Sequence, residues 1–320
     1  MILIITNKSD LTTDFVIIAL QRLGYPFYRF NTEDLFSCIN IDFDIKKNKY
    51  LIIDTILNKT IDLKKDISSV YFRRPMLPNA VEFNLNKDEK SFINKESYYI
   101  LEGIYSVLKD KFWISKPDNI KIAENKLLQL QIAKDLGFSI PPTQLTNIKE
   151  SQLSFVQHMP CIIKPIKTGL VEQNNKYIKV VYTNEINKEA LQTNKSKFPI
   201  YIQKMVKKSE DIRVTVVGDK VFSASIKCDN PDIVDWRKLE NCGMLFEYTE
   251  LPEKIKYLCI QLTKEFKLEF GAIDLAIDDN GEYIFFEINP NGQWAWLDKN
   301  LNYNIANEIA NLLFNGGKNV

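Results

Sequence analysis

Two acids lie inside runs that are otherwise apolar: Asp274 in GAIDLAID and Glu287 in EYIFFEINP, with Asn289 two residues beyond the glutamate. Asp279-Asn280-Gly281 between the runs is turn chemistry, so the two runs read as the strands of a β-hairpin. Alternation along a strand then puts Asn289 on the same face as Glu287. With Asp274 across the hairpin, three oxygen donors converge. Such a set suits Mg²⁺, which keeps waters and takes one or two carboxylates together with nucleotide phosphates. Burying these acids among Ile273, Leu275, Phe285, Phe286 and Ile288 is costly unless a cation offsets their charge. A solvated hairpin with acids at its strand ends is the competing reading.

A nucleotide at such a site needs cations for its phosphates. The chain contains neither GxxxxGK[ST] nor GxGxxG, so lysines must replace a glycine loop. Lys126, near the start of a helix, and Lys164, inside the apolar strand CIIKPI, are the candidates as point charges. Lys164 is the sharper one, because an ammonium inside a strand calls for an anion. The polar segment PIKTGLVEQNNK reads either as a flap over the phosphates or as a plain hairpin loop. Gln203, Lys204, Met205 and Val206 end a strand where a hinge can offer backbone amide and carbonyl to an adenine edge. Asp211 and Arg213 alternate on the next strand and face one way. Arg213 can steady negative charge developing in phosphoryl transfer, or the two can form a surface ion pair. Arg73, Arg74 and Arg237 are further guanidinium groups able to grip carboxylates. Trp294 and Trp296 either wall a substrate entrance or pack on the final helix.

The elements that carry these residues follow from hydrophobic periodicity. Residues 2–6, a helix from Asp10 to Leu23 and the strand PFYRF make a β-α-β opening. Residues 39–45 and 50–54 resemble a hairpin, 70–72 a strand, and 87–109 and 119–136 helices, with Trp113–Pro117 crossing into a second unit. Then CIIKPI, YIKVVY, YIQKMV, DIRVTVVG and KVFSASIKC read as strands, preceded by a helix at 149–157. Pro252 opens a helix to about Lys267, and the last helix spans 304–314.

A chain of 320 residues with a net charge of +1 has no global attraction to nucleic acid or membrane. No run reaches the roughly 18 apolar residues of a membrane span, so a cytoplasmic protein is expected. The five cysteines are odd in number and form no CxxC pair, which fits reduced thiols. His158 is the single histidine, which excludes multi-histidine metal sites.

In order along the chain, NK at 125–126, IIKPI at 162–166, YIQKMV, DIRVTVVG, GAIDLAI and EINPNGQW resemble the ATP-grasp superfamily. YFRRP, DIRVTVVGDKVFSASI, DWR and FFEINPNGQWAW resemble, within it, the peptide macrocyclases of the microviridin and graspetide type. The resemblance covers essentially the whole chain. It implies a mixed α/β and α+β ATP-grasp fold of three lobes: an α/β pre-grasp domain at 1–117, a central lid at 118–206, and an antiparallel-sheet lobe with the metal site at 207–320. It further implies that Asp274, Glu287 and Asn289 hold two magnesium ions, that Lys126 and Lys164 meet the phosphates of ATP, and that 203–206 meets adenine. Asp211, Arg213 and Lys164 are then the catalytic group. The implied reaction activates an Asp or Glu side chain of a ribosomally made precursor peptide as an acyl phosphate. A Ser or Thr hydroxyl closes an ω-ester, or a Lys amine an ω-amide. A leader segment of the precursor binds apart from the site, with the amphipathic stretch 177–191 as its candidate surface, and homodimers are expected. The alternatives are a ribosomal-protein glutamate-ligase-like enzyme and a nucleotide-binding module without turnover.

Overall fold

The computed structural model describes residues 1–78, 85–167, 170–173, 176–180, 183–193, 197–227 and 245–318. Two compact units form. The first comprises Met1–Asn119, Lys267–Phe270 and Asn291–Val320, and the second Ile120–Phe266 and Gly271–Pro290.

The first unit opens with β1 (Ile2–Thr6), whose five residues are all buried, as in a parallel strand covered on both faces. Helix α1 (Leu11–Arg22) is capped by Asp10, whose carboxylate accepts from the Thr12 amide. Next come β2 (Phe27–Asn31) and an antiparallel sheet of β3 (Ile39–Asp44), β4 (Lys49–Asp54) and β5 (Lys59–Asp62). The third of those strands adds to the expected hairpin. Then follow β6 (Ser69–Phe72), α2 (Lys87–Val107) behind an Asn86/Glu89 capping box, β7 (Phe112–Ile114) and α3 (Pro117–Ala123). The main sheet runs β2-β1-β6-β7, parallel throughout.

The second unit starts with α4 (Lys126–Leu136). The single helix expected over 119–136 is split, because the Asn125 side chain accepts from the amides of Leu127 and Leu128 and so caps a new helix. Gly137, at φ 101°, ends α4 in the left-handed region that favours glycine. Next are β8 (Thr143–Thr146), α5 (Lys149–Gln157), β9 (Cys161–Ile163), the hairpin of β10 (Leu170–Gln173) and β11 (Lys176–Val180), β12 (Asn184–Ile186), α6 (Lys188–Thr193) and β13 (Ile200–Lys204). One sheet has the order β12-β9-β13-β8. The other is built from β14 (Lys208–Val217), β15 (Lys220–Lys227), β16 (Leu245–Tyr248), β17 (Phe270–Asp278) and β18 (Tyr283–Asn289), in the order β16-β15-β14-β17-β18. Helix α7 (Glu253–Glu265) packs on β14 and on α4, and α4 on β18.

The chain then returns to the first unit as α8 (Ala295–Leu301) and α9 (Ile305–Gly316). The expected lobe from 207 included 291–320; by packing, these residues group with the first unit. The reason is the apolar face of α9, with Ile305, Ile309 and Leu313 buried, which packs against α1, β6 and β7. The four- and five-stranded sheets, from within 118–206 and 207–290, and the two-stranded β10-β11 sheet lie in one compact unit. No described helix is long and apolar enough to cross a membrane.

Candidate active site

The carboxylate hairpin forms, with a feature the alternation did not reveal. Asp274 is the register partner of Glu287 and Ala272 that of Asn289, but Leu275 pairs with Phe285, which leaves Phe286 as the extra residue of a bulge. In a regular strand Phe285 and Glu287 share a face. The bulge reverses this, so that Phe285 goes to the core with Leu275, Ile273 and Ile288, all at most 2% exposed. Phe285 meets Phe138 at 5.3 Å between ring centroids. Glu287 and Asp274 lie together on the other face, half-buried.

Each acid has a cation beside it. Lys126, the first residue of α4, places Nζ 2.9 Å from Glu287 Oε2. Arg213 on β14, next to β17 in the sheet, places Nη1 3.0 Å from Asp274 Oδ1. The alternative of a surface ion pair between Arg213 and Asp211 does not form: Lys208 donates to Asp211 Oδ1 at 2.7 Å, and Arg213 lies beside Asp274. Arg213 is 7% exposed, and its buried Nε and Nη1 have no aligned hydrogen-bond acceptor, although Nη1 is close to Asp274. Buried guanidinium donors without acceptors call for an anion.

Lys164 is corrected in its placement: β9 ends at Ile163, so the lysine follows the strand instead of lying inside it. Its Nζ stands 5.4 Å from the Tyr201 ring centroid and 6.0 Å from that of Phe286, the bulged residue. Burial first, and the charge of Glu287 further, push the Tyr201 hydroxyl well above its ordinary pKa. In the hinge, Gln203 is buried and donates to Thr143 Oγ1 at 2.8 Å. The Lys204 amide donates to Pro142 O and the Met205 amide to Pro160 O, both at 2.9 Å. These two amides are used within the protein, which narrows the expected hinge.

The substrate candidates fare differently. Arg73, in the first unit, is 1% exposed, and both of its terminal nitrogens are hydrogen-bonded, while its buried Nε has no aligned acceptor. Its Nε lies 2.9 Å from Asp10 Oδ2, Nη1 donates to Asn291 O and Gly292 O, and Nη2 donates to Gln293 Oε1 at 3.0 Å. These bonds tie Arg73 to the backbone and side chains of its own unit. Trp294 is 0% exposed and meets Phe15 edge-on at 6.3 Å, so packing rather than an entrance wall describes it. Arg74 is exposed and donates to Asn291 O at 3.1 Å. Arg237 lies outside the described residues, as do 181 and 182 of the stretch 177–191.

The donor set fits a magnesium–nucleotide pair. Among the described residues no group of three or more His, Cys, Asp and Glu gathers to hold a metal. Two carboxylates and the exposed Asn289 amide on one face are the sparse oxygen set Mg²⁺ takes when phosphates and water complete its shell. The residue that motif reading missed is Gln129, buried in α4 three positions after Lys126. A glutamine amid Leu127, Leu128, Leu130 and Ile132 was the available signal.

A four-stranded and a five-stranded sheet in one unit, lysines at 126 and 164 and a carboxylate hairpin define an ATP-grasp protein. The chain belongs to the RimK-like ATP-grasp family, whose domain matches residues 123–313, and residues 1–121 match the MvdD pre-ATP grasp domain. Among curated proteins, human N-acetylaspartylglutamate synthase A is 34% identical over 116 residues, which is 35% of this chain and 29% of that protein. The chain thus spans under a third of that relative. Solved structures match along nearly the whole chain. The macrocyclase MdnC from Microcystis aeruginosa MRC, bound with precursor peptide MdnA, is 26% identical with a TM-score of 0.85, covering 98% of this chain and 99% of that one. A Chryseobacterium gregarium RiPP-associated ATP-grasp ligase, in complex with ADP and a leader and core peptide, is 28% identical with a TM-score of 0.87, covering 98% and 96%.

Proposed function

We propose that this protein is an ATP-dependent carboxylate ligase that closes rings in a ribosomally made precursor peptide. The observation that carries the reading is likeness along 98% of the chain to ATP-grasp ligases complexed with precursor, or with leader and core, peptides. The match of residues 1–121 to an MvdD pre-ATP grasp domain favours it over a glutamate-adding enzyme.

In this reading Asp274, Glu287 and Asn289 hold Mg²⁺ ions, two of them, and Lys126 and Lys164 face the phosphates of ATP. Bound Mg-ATP supplies the phosphoryl group that makes a side-chain Asp or Glu carboxylate an acyl phosphate, from which a Ser or Thr hydroxyl or a Lys amine displaces phosphate. The protein's own residues prepare for this. Lys126 and Glu287 hold each other in place, and each matches one half of a metal–phosphate pair. Arg213, whose buried donors lack aligned acceptors, neutralises charge that develops on the transferring group. Asp211, held by Lys208, borders that group. With the amides of Lys204 and Met205 used, Val206 presents the hinge amide to adenine. The 177–191 stretch receives the leader, which raises the effective concentration of the core. Homodimer assembly belongs to the same reading, and sedimentation tests it.

Purified protein with Mg-ATP and a candidate precursor tests the reaction. ADP formation that requires the peptide, with loss of one water per ring by mass spectrometry, is the expected result. Turnover with free glutamate in place of peptide overturns it.

A further inference from the structure

We propose that Gln129 is a positioning residue that holds β18 in its bulged register and so keeps Glu287 beside Lys126. The inference rests on the reading above for what Glu287 does, but not for what Gln129 holds.

Strand β18 is the edge of its sheet, so its outward-facing backbone groups need partners from elsewhere. The Phe285 amide donates to Ser139 O at 2.8 Å. The Ile288 amide donates to Gln129 Oε1 at 3.1 Å, and Gln129 Nε2 donates back to Ile288 O at 2.8 Å. One carboxamide thereby replaces a peptide unit of an absent neighbouring strand. Outward groups recur every second residue in a regular strand, which after Phe285 means 287 and 289. Here they are at 285 and 288, and that offset of one is the bulge. The carboxamide bonds a residue that faces it only in the bulged register. Slipping back turns Ile288 towards β17 and strands the amide Gln129 had bonded, in a residue only 2% exposed, a costly loss.

The second hydrogen of Gln129 Nε2 goes to Ala123 O, at the end of α3. Lys126 is one turn before Gln129 on the same face of α4. A single side chain thus ties the end of α3, the start of α4 and the backbone between Glu287 and Asn289. The 2.9 Å contact of Lys126 with Glu287 lies within that triangle.

The test uses Gln129→Leu, which removes the amide at similar volume, and Gln129→Asn, which keeps the amide but shortens its reach and retains polarity if the leucine variant fails to fold. Hydrogen exchange of the Ile288 amide, followed by NMR without nucleotide, is expected to quicken at least about tenfold in either variant while β14 amides keep their rates. The magnesium concentration needed for half-maximal ADP binding is expected to rise about tenfold, as for loss of an outer partner of a metal ligand. Leu262→Ala, in the core of α7, lowers the melting temperature without either change. Wild-type exchange at Ile288 in the variants, or the same two changes in Leu262→Ala, overturns the proposal. Absence of precursor-dependent turnover in the wild type defeats the proposed function instead, and leaves the exchange result standing.

Discussion

Two buried arginines, one in each unit, show how similar surroundings can serve different ends. Arg73 and Arg213 each lie about one hydrogen-bond length from a carboxylate, 2.9 Å to Asp10 and 3.0 Å to Asp274. Arg73 adds two carbonyls and an amide oxygen from residues 291–293. Each keeps a buried Nε without an aligned acceptor, but Arg213 adds no such bonds, and its Nη1 is buried without an aligned acceptor as well. Removing a guanidinium from water is costly unless its donors are used. An arginine whose terminal nitrogens are bonded by its own protein is architecture, whereas one whose terminal donors are left unmet is poised for an anion that arrives and leaves.

The contrast can be broken in several ways. The largest effect is expected at Glu287→Gln, which removes metal-facing charge at nearly constant volume. Turnover should vanish with the melting temperature almost unchanged, and wild-type activity at limiting magnesium refutes the assignment. Arg73→Ala should cost about 3–5 kcal/mol of stability, because it leaves Asp10 buried and unpaired. Denaturant titration measures this, and a loss below about 1 kcal/mol makes Arg73 no scaffold. Arg213→Ala should lower turnover about 10²–10³-fold, the usual consequence of removing one preorganised donor. If instead it unfolds the protein as Arg73→Ala does, the two arginines are alike after all. Lys164→Ala should weaken ATP binding more than Arg213→Ala does, by about tenfold, and calorimetry with the reverse ranking would make Arg213 a nucleotide residue. The smallest effect is expected at exposed Arg74, whose alanine variant should stay within about 0.5 kcal/mol of wild-type stability. A shift in peptide KM there would restore it as a substrate contact.

Much of this was legible in the residues themselves. Alternation with Asp279-Asn280-Gly281 placed the hairpin, and Pro252 and Gly137 placed the ends of helices. The difference between the two arginines was not legible. Both stand beside apolar strands, and what separates them is a carbonyl 218 residues away that no local pattern encodes. The bulge was hidden for the same reason: its outward partners come from Gln129 and Ser139, far along the chain. The break at Asn125 was masked by apolar periodicity that continues across it, since the cap depends on where one side chain turns. Helix α8 spans only seven residues, under two turns, too short for a helical period to announce itself.

The return of the chain to its first unit bears on how the protein is made. Synthesis is vectorial, and β1, β6, β7 and α1 leave the ribosome long before α9, which covers them. During that interval the apolar faces that await Ile305, Ile309 and Leu313 have no permanent cover. The second unit has its two final strands by residue 289, so it can complete its sheet while the first is still open. The part of the first unit made early is therefore covered only when α9 has been made.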